Sequence, residues 1–337
     1  MTERNSAKVV NLAFLCAILV VTIHLSRPDA HAPVARAIRE LTRGGISRMA
    51  VPMFFAFSGY FLARRAEGIG WWKAQLLKRA RTLLVPYVIW ISVVFVHKVL
   101  LDGVAPWYDV TTLRGFAKVY GLNLFGMPLL GAMWYVRDLM IFSLAAPMLF
   151  ALLRKFGVVV LVVLFVAYGI LSPGEPPHWL VFPKTMTQFF RSGISLEGVF
   201  YFCLGSYLYW HPVVLSRRTG IVCGGAALLL ILLRLACLHE HWQMPVCLRT
   251  FFIPLSMAAA WTFAPEARWP DVLGKATFPI FAMHGLVIKS SRVFIELPHD
   301  AGFWLLQLML AVAIPIIISW LMRRLLPRTA SVLWGGR

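Results

Sequence analysis

The stretch Asn11-Leu-Ala-Phe-Leu-Cys-Ala-Ile-Leu-Val-Val-Thr-Ile-His24 decides how this chain is read. Apart from Asn11, Thr22 and His24 every side chain in it is apolar, and the apolar run extends over roughly residues 9–27. About 20 such residues are what a helix needs to cross the hydrocarbon core of a bilayer. At 1.5 Å per residue His24 lies about 22 Å from the start of that segment. An ionisable side chain at such depth costs several kcal/mol unless it is paired or faces a polar cavity, so it marks a functional site by default. The setting is otherwise dry, and an imidazole takes up or releases a proton near neutral pH.

Working outward, the whole chain carries the same character. Of its 337 residues 60% are hydrophobic and only 14% charged, with a mean hydropathy of +0.75; a soluble domain carries roughly 25% charged residues. The 24 Phe and 13 Trp suit lipid-facing and interfacial positions. The formal net charge of +19 would point to nucleic acid in a soluble protein. Here the basic residues sit in short clusters between apolar stretches, as topology signals do, so nucleic acid is not the partner. The cysteines at 16, 203, 223, 237 and 247 lie in or beside apolar helices with no C-x-x-C pair. They read as inert core thiols, with no disulfide framework and no metal site. The first apolar run lacks an A-x-A-like cleavage site and reads as a signal anchor.

The predicted fold class is all-α: a polytopic helical membrane protein with about ten transmembrane helices and a single domain over 1–337. The segments are roughly 9–27, 48–64, 82–101, 131–153, 156–172, 195–211, 219–238, 249–265, 274–293 and 302–322. Prolines 86, 147, 254, 279 and 315 interrupt several of them. Such breaks are tolerated where neighbouring helices satisfy the freed carbonyls. Basic clusters follow the second segment (Arg64, Arg65, Lys73, Lys78, Arg79, Arg81), the fourth (Arg154, Lys155), the sixth (Arg217, Arg218) and the tenth (Arg323, Arg324, Arg328). By the positive-inside rule both termini face the cytoplasm. The 26–47 loop opposes this with Arg27, Arg36, Arg39 and Arg43. No internal repeat is evident. The longest outer loops, about 102–130 and 173–194, are rich in Pro, Gly and Trp and suited to shape a pocket.

Depth says which polar residues can meet. With His24 in the outer half, the fourth helix, which begins outside, places Trp134, Tyr135, Arg137 and Asp138 there too. Ser58 in Phe54-Phe-Ala-Phe-Ser-Gly-Tyr60 lies somewhat deeper, and His284 near mid-membrane. Each has a plainer reading. Arg137 and Asp138 form a structural pair, Ser58 bonds the i−4 carbonyl of its own helix with Gly59 permitting close packing, and His284 is a core histidine. The basic run Lys73-Ala-Gln-Leu-Leu-Lys-Arg-Ala-Arg81 reads either as an interfacial helix on anionic lipid or as a phosphate-capturing segment in which Arg79 and Arg81 make bidentate contacts.

These segments resemble the acyltransferase 3 family of integral-membrane O-acyltransferases. The matching pieces are Ile18-Leu-Val-Val-Thr-Ile-His24, Val51-Pro-Met-Phe-Phe-Ala-Phe-Ser-Gly-Tyr60, Lys78-Arg-Ala-Arg-Thr-Leu-Leu-Val-Pro-Tyr87, Met133-Trp-Tyr-Val-Arg-Asp-Leu139, Phe202-Cys-Leu-Gly-Ser-Tyr207 and Thr277-Phe-Pro-Ile-Phe-Ala-Met-His284. They recur in family order across nearly the whole chain. The resemblance implies about ten helices, an acyl-CoA donor (acetyl-CoA) reaching the site from the cytoplasm, and a periplasmic or lipid-linked glycan acceptor. One departure stands out: the family usually has an arginine eleven residues before the first-helix histidine, and here that position is Ala13. Arg4, Lys8 and the 78–81 cluster are the cations available in its stead.

The reading that results is an O-acyltransferase of a bacterial inner membrane, moving an acyl group from acyl-CoA to a sugar hydroxyl. His24 is the base or acyl carrier; Arg137, held by Asp138, stabilises the oxyanion or orients the acceptor. Ser58, Trp134, Tyr135, His284, Arg79 and Arg81 contact the substrates. No bound cofactor or metal is expected. Acyl-CoA, a glycan or lipid-linked sugar, membrane lipids and a second copy of the chain are the expected partners. The competing readings are a transporter or flippase of a lipid-linked saccharide and an inactive scaffold in polysaccharide assembly.

Overall fold

The structure is a computed structural model that describes residues 3–25, 41–42, 45–68, 70–102, 112–120, 129, 131–171, 194–236, 246–295 and 301–336. Its elements in chain order are α1 (Glu3–His24), a 3-10 turn (Ile46–Met49) leading into α2 (Ala50–Ala63), α3 (Trp71–Arg79), a π-helical turn (Ala80–Leu84) and α4 (Val85–Asp102). There follow α5 (Leu113–Val119), a 3-10 turn (Gly131–Met133) opening α6 (Trp134–Phe156), α7 (Val158–Leu171), α8 (Leu196–Trp210) and α9 (Arg217–Ala236). The chain continues with α10 (Val246–Phe263), α11 (Asp271–Phe294), α12 (Ala301–Leu325) and α13 (Pro327–Leu333). No strand occurs among the described residues. The protein is an all-α polytopic membrane protein.

A helix occupies each of the ten apolar segments. Six are long and apolar enough to cross a membrane by length and composition: Glu3–His24, Ile46–Ala63, Trp71–Leu101, Gly131–Phe156, Asp271–Phe294 and Ala301–Leu325. One boundary differs from the sequence expectation. The basic run 73–81 does not stand apart from the helix that follows it; α3, the π turn and α4 run on without a break. Ala74, Gln75, Leu76 and Leu77 are good helix formers, and the strain of Pro86 is absorbed by a widened turn in which the N–H of Val85 reaches the carbonyl of Ala80. The outer loops fall mostly outside the described residues, as do Arg27, Arg36, Arg39, Arg43 and Cys237. Cys16 and Cys203 are buried free thiols and Cys223 a half-buried one.

The chain packs as two compact units, Met1–Phe54 with Val213–Leu325 and Phe55–Pro212 with Leu326–Arg337. In the first, α1 packs on α11, α11 on α12, and α9 on α10. Phe14, Ala17 and Val21 form one stripe of α1, continued by Leu25 just beyond it, and Ala276, Ile280 and Ile288 one stripe of α11. Asn11 would be costly in this interior without partners. Its amide nitrogen donates to the carbonyls of Pro265 (3.1 Å) and Ala267 (2.8 Å), and its oxygen accepts the N–H of Trp269 (3.3 Å).

In the second unit α2 and α8 cross backbone to backbone. A Cβ on Gly59 would run into the carbonyl of Phe202, and one on Gly205 into the backbone of Ala56. This is the small-residue contact by which membrane helices approach closely.

The prolines show how carbonyls freed within a helix find other donors. Proline removes the hydrogen bond to residue i−4. Pro147 thereby frees the carbonyl of Ser143, which accepts Trp72 Nε1 at 3.2 Å. Pro279 frees that of Lys275, which accepts Arg323 Nη2 at 3.2 Å. Both donors come from another helix of the same unit.

Candidate functional site

His24 and His284 belong to the first unit and are brought together by helix periodicity. On α1, His24 follows Val21 by three residues and Ala17 by seven, so it continues the stripe that faces α11. On α11, His284 falls between Ile280 and Ile288 at four-residue spacing, in the stripe that faces back. Their rings lie 5.1 Å apart between centroids, with an interplanar angle of 43°. His284 is buried and His24 exposed. The burial expected of His24 therefore rests with its partner; His24 itself is the last residue of α1.

The Nδ1 of His284 lies 3.0 Å from the carbonyl of Ile280. A carbonyl only accepts, so Nδ1 carries the proton, and in the neutral ring Nε2 is left as the acceptor. One turn of helix thus sets the tautomer of the buried histidine.

The sequence alone did not single out three polar groups farther along α11 and on α12. Arg292 Nη2 approaches the carbonyl of His24 at 3.5 Å, a cation at the negative end of α1. Ser291, seven residues after His284 and so on the same face, accepts Gln307 Nε2 at 3.0 Å and donates to the carbonyl of Ile288. Both Ser291 and Gln307 are buried. The available signal was a lone amide in the apolar run Phe303-Trp-Leu-Leu-Gln307 and its match to a hydroxyl two turns beyond a histidine.

Arg137 and Asp138, in the second unit, form a buried ion pair. Arg137 Nε and Nη2 each lie 3.0 Å from Asp138 Oδ1. Asp138 Oδ2 accepts the N–H of Ser195 at 2.9 Å. Ser195 is the N-cap of α8, its hydroxyl accepting the N–H of Gly198 at 2.9 Å. The carboxylate therefore couples α6 to the start of α8 while holding the guanidinium.

Ser58 has a partner beyond its own helix: its hydroxyl lies 3.2 Å from that of Tyr135. Trp134 and Tyr135 both pack on Phe55, with centroids at 6.0 and 4.7 Å. Ser58, Trp134 and Tyr135 thus form one cluster on α2 and α6. Arg79 ends α3 half-buried, and Arg81 lies exposed in the π turn. Among the described residues no three His, Cys, Asp or Glu side chains converge as a metal site would require.

The family model of the acyltransferase 3 acyltransferase domain matches residues 12–324. The chain is also similar to the succinoglycan biosynthesis protein ExoH of Rhizobium meliloti (strain 1021). The two are 26% identical over 310 residues, which cover 86% of this chain and 80% of that protein. No solved structure matches. With 12–324 matched, the chain belongs to the acyltransferase 3 family and is a membrane O-acyltransferase.

Proposed function

We propose that this protein moves an acyl group, acetyl in the simplest case, from a cytoplasmic acyl-CoA to a hydroxyl of a cell-surface or lipid-linked polysaccharide, with His24 as the base or acyl carrier. The observation that carries the reading is the His24–His284 pair. A sugar hydroxyl is a poor nucleophile at neutral pH and needs a base as it attacks a thioester. His24 is the imidazole open to a substrate, and the buried His284 beside it has its tautomer set by Ile280.

In the direct route the hydroxyl oxygen forms a bond to the thioester carbon as His24 takes its proton. The carbon–sulfur bond then breaks, and the proton passes to the departing thiolate to give CoA. In the two-step route the imidazole nitrogen bonds to the thioester carbon, the carbon–sulfur bond breaks and the thiolate leaves as CoA with the ring's N–H proton. The hydroxyl oxygen then bonds to the acyl carbon as the carbon–nitrogen bond breaks, its proton passing to the freed imidazole. A polysaccharide acceptor is supported by the similarity to a protein of succinoglycan biosynthesis.

The remaining assignments rest on the sequence and the family. Arg137, positioned by Asp138, stabilises the oxyanion or orients the acceptor; Ser58, Trp134 and Tyr135 contact substrate; Arg79 and Arg81 receive donor phosphates. The chain acts as one functional domain over 1–337 in the bacterial inner membrane, with ten spans, both termini cytoplasmic and lipids around it; self-association is compatible with this arrangement. The departure at Ala13 favours a second reading, a catalytically silent scaffold in polysaccharide assembly. Purified protein incubated with labelled acetyl-CoA and a lipid-linked glycan separates the two. Consumption of thioester that His24→Ala abolishes supports the transferase, and an intact thioester pool supports the scaffold.

A further inference from the structure

An interfacial helix that only rests on anionic lipid needs a basic face and an apolar face, and nothing that holds it at both ends. The basic run 73–81 is fastened at both ends, within its own unit. At its start Trp71 stacks on Phe150 (5.8 Å, 14°), and Trp72 donates to the carbonyl freed by Pro147. At its far end the π turn meets the segment that follows α12. Pro86 cannot donate to the carbonyl of Thr82, and the backbone of Gly335 packs directly onto that carbonyl, where a Cβ would clash. Gly335 has φ +64° and Gly336 φ +70°. The N–H of Gly336 returns to Ser331 (2.7 Å) and that of Gly335 to Val332 (3.4 Å), the hydrogen-bond pattern that closes a helix on glycine. Trp334 is buried and stacked on Trp90 (5.3 Å, 20°), whose Nε1 donates to the carbonyl of Leu333 at 3.1 Å.

We propose that residues 327–336 are a clamp that sets the π turn, and with it Arg79 and Arg81, as a fixed site for the phosphate groups of the acyl donor. Trp334 and Gly335 are positioning residues in this scheme: they touch no substrate and act through the turn. The inference rests on the reading of the chain as an acyl-CoA-dependent transferase. A widened helical turn is a recurrent feature of functional sites, and a guanidinium held on a rigid frame gives up less freedom when it binds phosphate.

The test uses the full-length protein in detergent and two donors, acetyl-CoA and acetyl-pantetheine, which carries the same thioester without the nucleotide phosphates. Gly335→Ala should raise KM for acetyl-CoA by about tenfold, the scale of one lost charge-assisted contact, while kcat and the KM for acetyl-pantetheine hold. Trp90→Phe, which removes the N–H to Leu333 and shrinks the ring stacked on Trp334, should move the same parameter in the same direction and decides the matter if the glycine variant does not fold. An equal loss with both donors makes the segment merely structural and overturns the proposal. An unchanged acetyl-CoA KM in the clamp variants, with a raised one in Arg79→Ala/Arg81→Ala, overturns the clamp and leaves the donor reading intact. An unchanged KM in all of them removes both. Loss of binding to phosphatidylglycerol vesicles with donor kinetics intact assigns the site to lipid headgroups and also overturns the proposal.

Discussion

The imidazole of His24, the last residue of α1, lies 5.1 Å from that of His284 on α11, although 260 residues separate the two in the chain. The exposed ring and the buried ring do different work in the proposed reaction, and substitutions separate them.

His24→Ala and His24→Gln should both lower acyl transfer by about 10²-fold or more, the usual scale for loss of a general base. Glutamine keeps much of the volume and a hydrogen-bonding amide but accepts no proton near neutrality. His24 is exposed at a helix end, so thermal denaturation in detergent should change little. Near-normal turnover of the glutamine variant would remove His24 from the chemistry.

His284 contributes packing as well as a tautomer. His284→Ala empties a buried ring position between Ile280 and Ile288 and should destabilise the first unit by about 2–4 kcal/mol, by analogy with other large-to-small core changes. His284→Phe fills the space without a ring nitrogen. Turnover that survives in the phenylalanine variant while the alanine variant melts early would show that His284 is structural only.

Asp138 is surrounded by donors: Arg137 through two nitrogens and the N–H of Ser195. Asp138→Ala takes the carboxylate away from a buried guanidinium and leaves the N–H of Ser195 without its acceptor. A loss of about 3–5 kcal/mol is expected from breaking a buried pair on one side, read as an early thermal transition before any assay of activity. A variant with the parent's melting temperature would contradict the buried-pair geometry.

Gly59 and Gly205 carry the crossing of α2 and α8. Alanine at either position forces the backbones apart and should cost about 1–3 kcal/mol, the range for overpacking. The double variant should lose less than the sum, since once the helices have separated the second methyl meets open space. Strict additivity in thermal denaturation would mean that the two contacts are independent.

From the basic clusters after the second, fourth, sixth and tenth apolar segments we propose that both termini are cytoplasmic. Alkaline phosphatase fused after Arg337 should stay inactive, and the same fusion after Gly121, beyond α4, should be active. Activity of the C-terminal fusion in the periplasm would reverse the orientation.

What the sequence determines by itself here is what depends on short range. Apolar runs of bilayer length, their proline breaks and the arginines between them are local quantities. They suffice for the all-α membrane class, the ten segments and the prominence of His24. The motif residues Ser58, Trp134, Tyr135, Arg137, Asp138 and His284 were legible because polar side chains are conspicuous in an apolar run.

Only the tertiary structure decided which of them have which partners. Periodicity places His24 and His284 each on a stripe, but which stripe faces which depends on helices packing across some 260 residues of chain. The sequence shows that Pro147 and Pro279 free a carbonyl each; it does not show that Trp72 and Arg323 would fill them, because those donors arrive by packing. The continuity of 73–81 with α4 and the docking of Gly335 on Thr82 were hidden for the same reason. A glycine needed for its missing Cβ leaves no trace in composition until the backbone it touches is known.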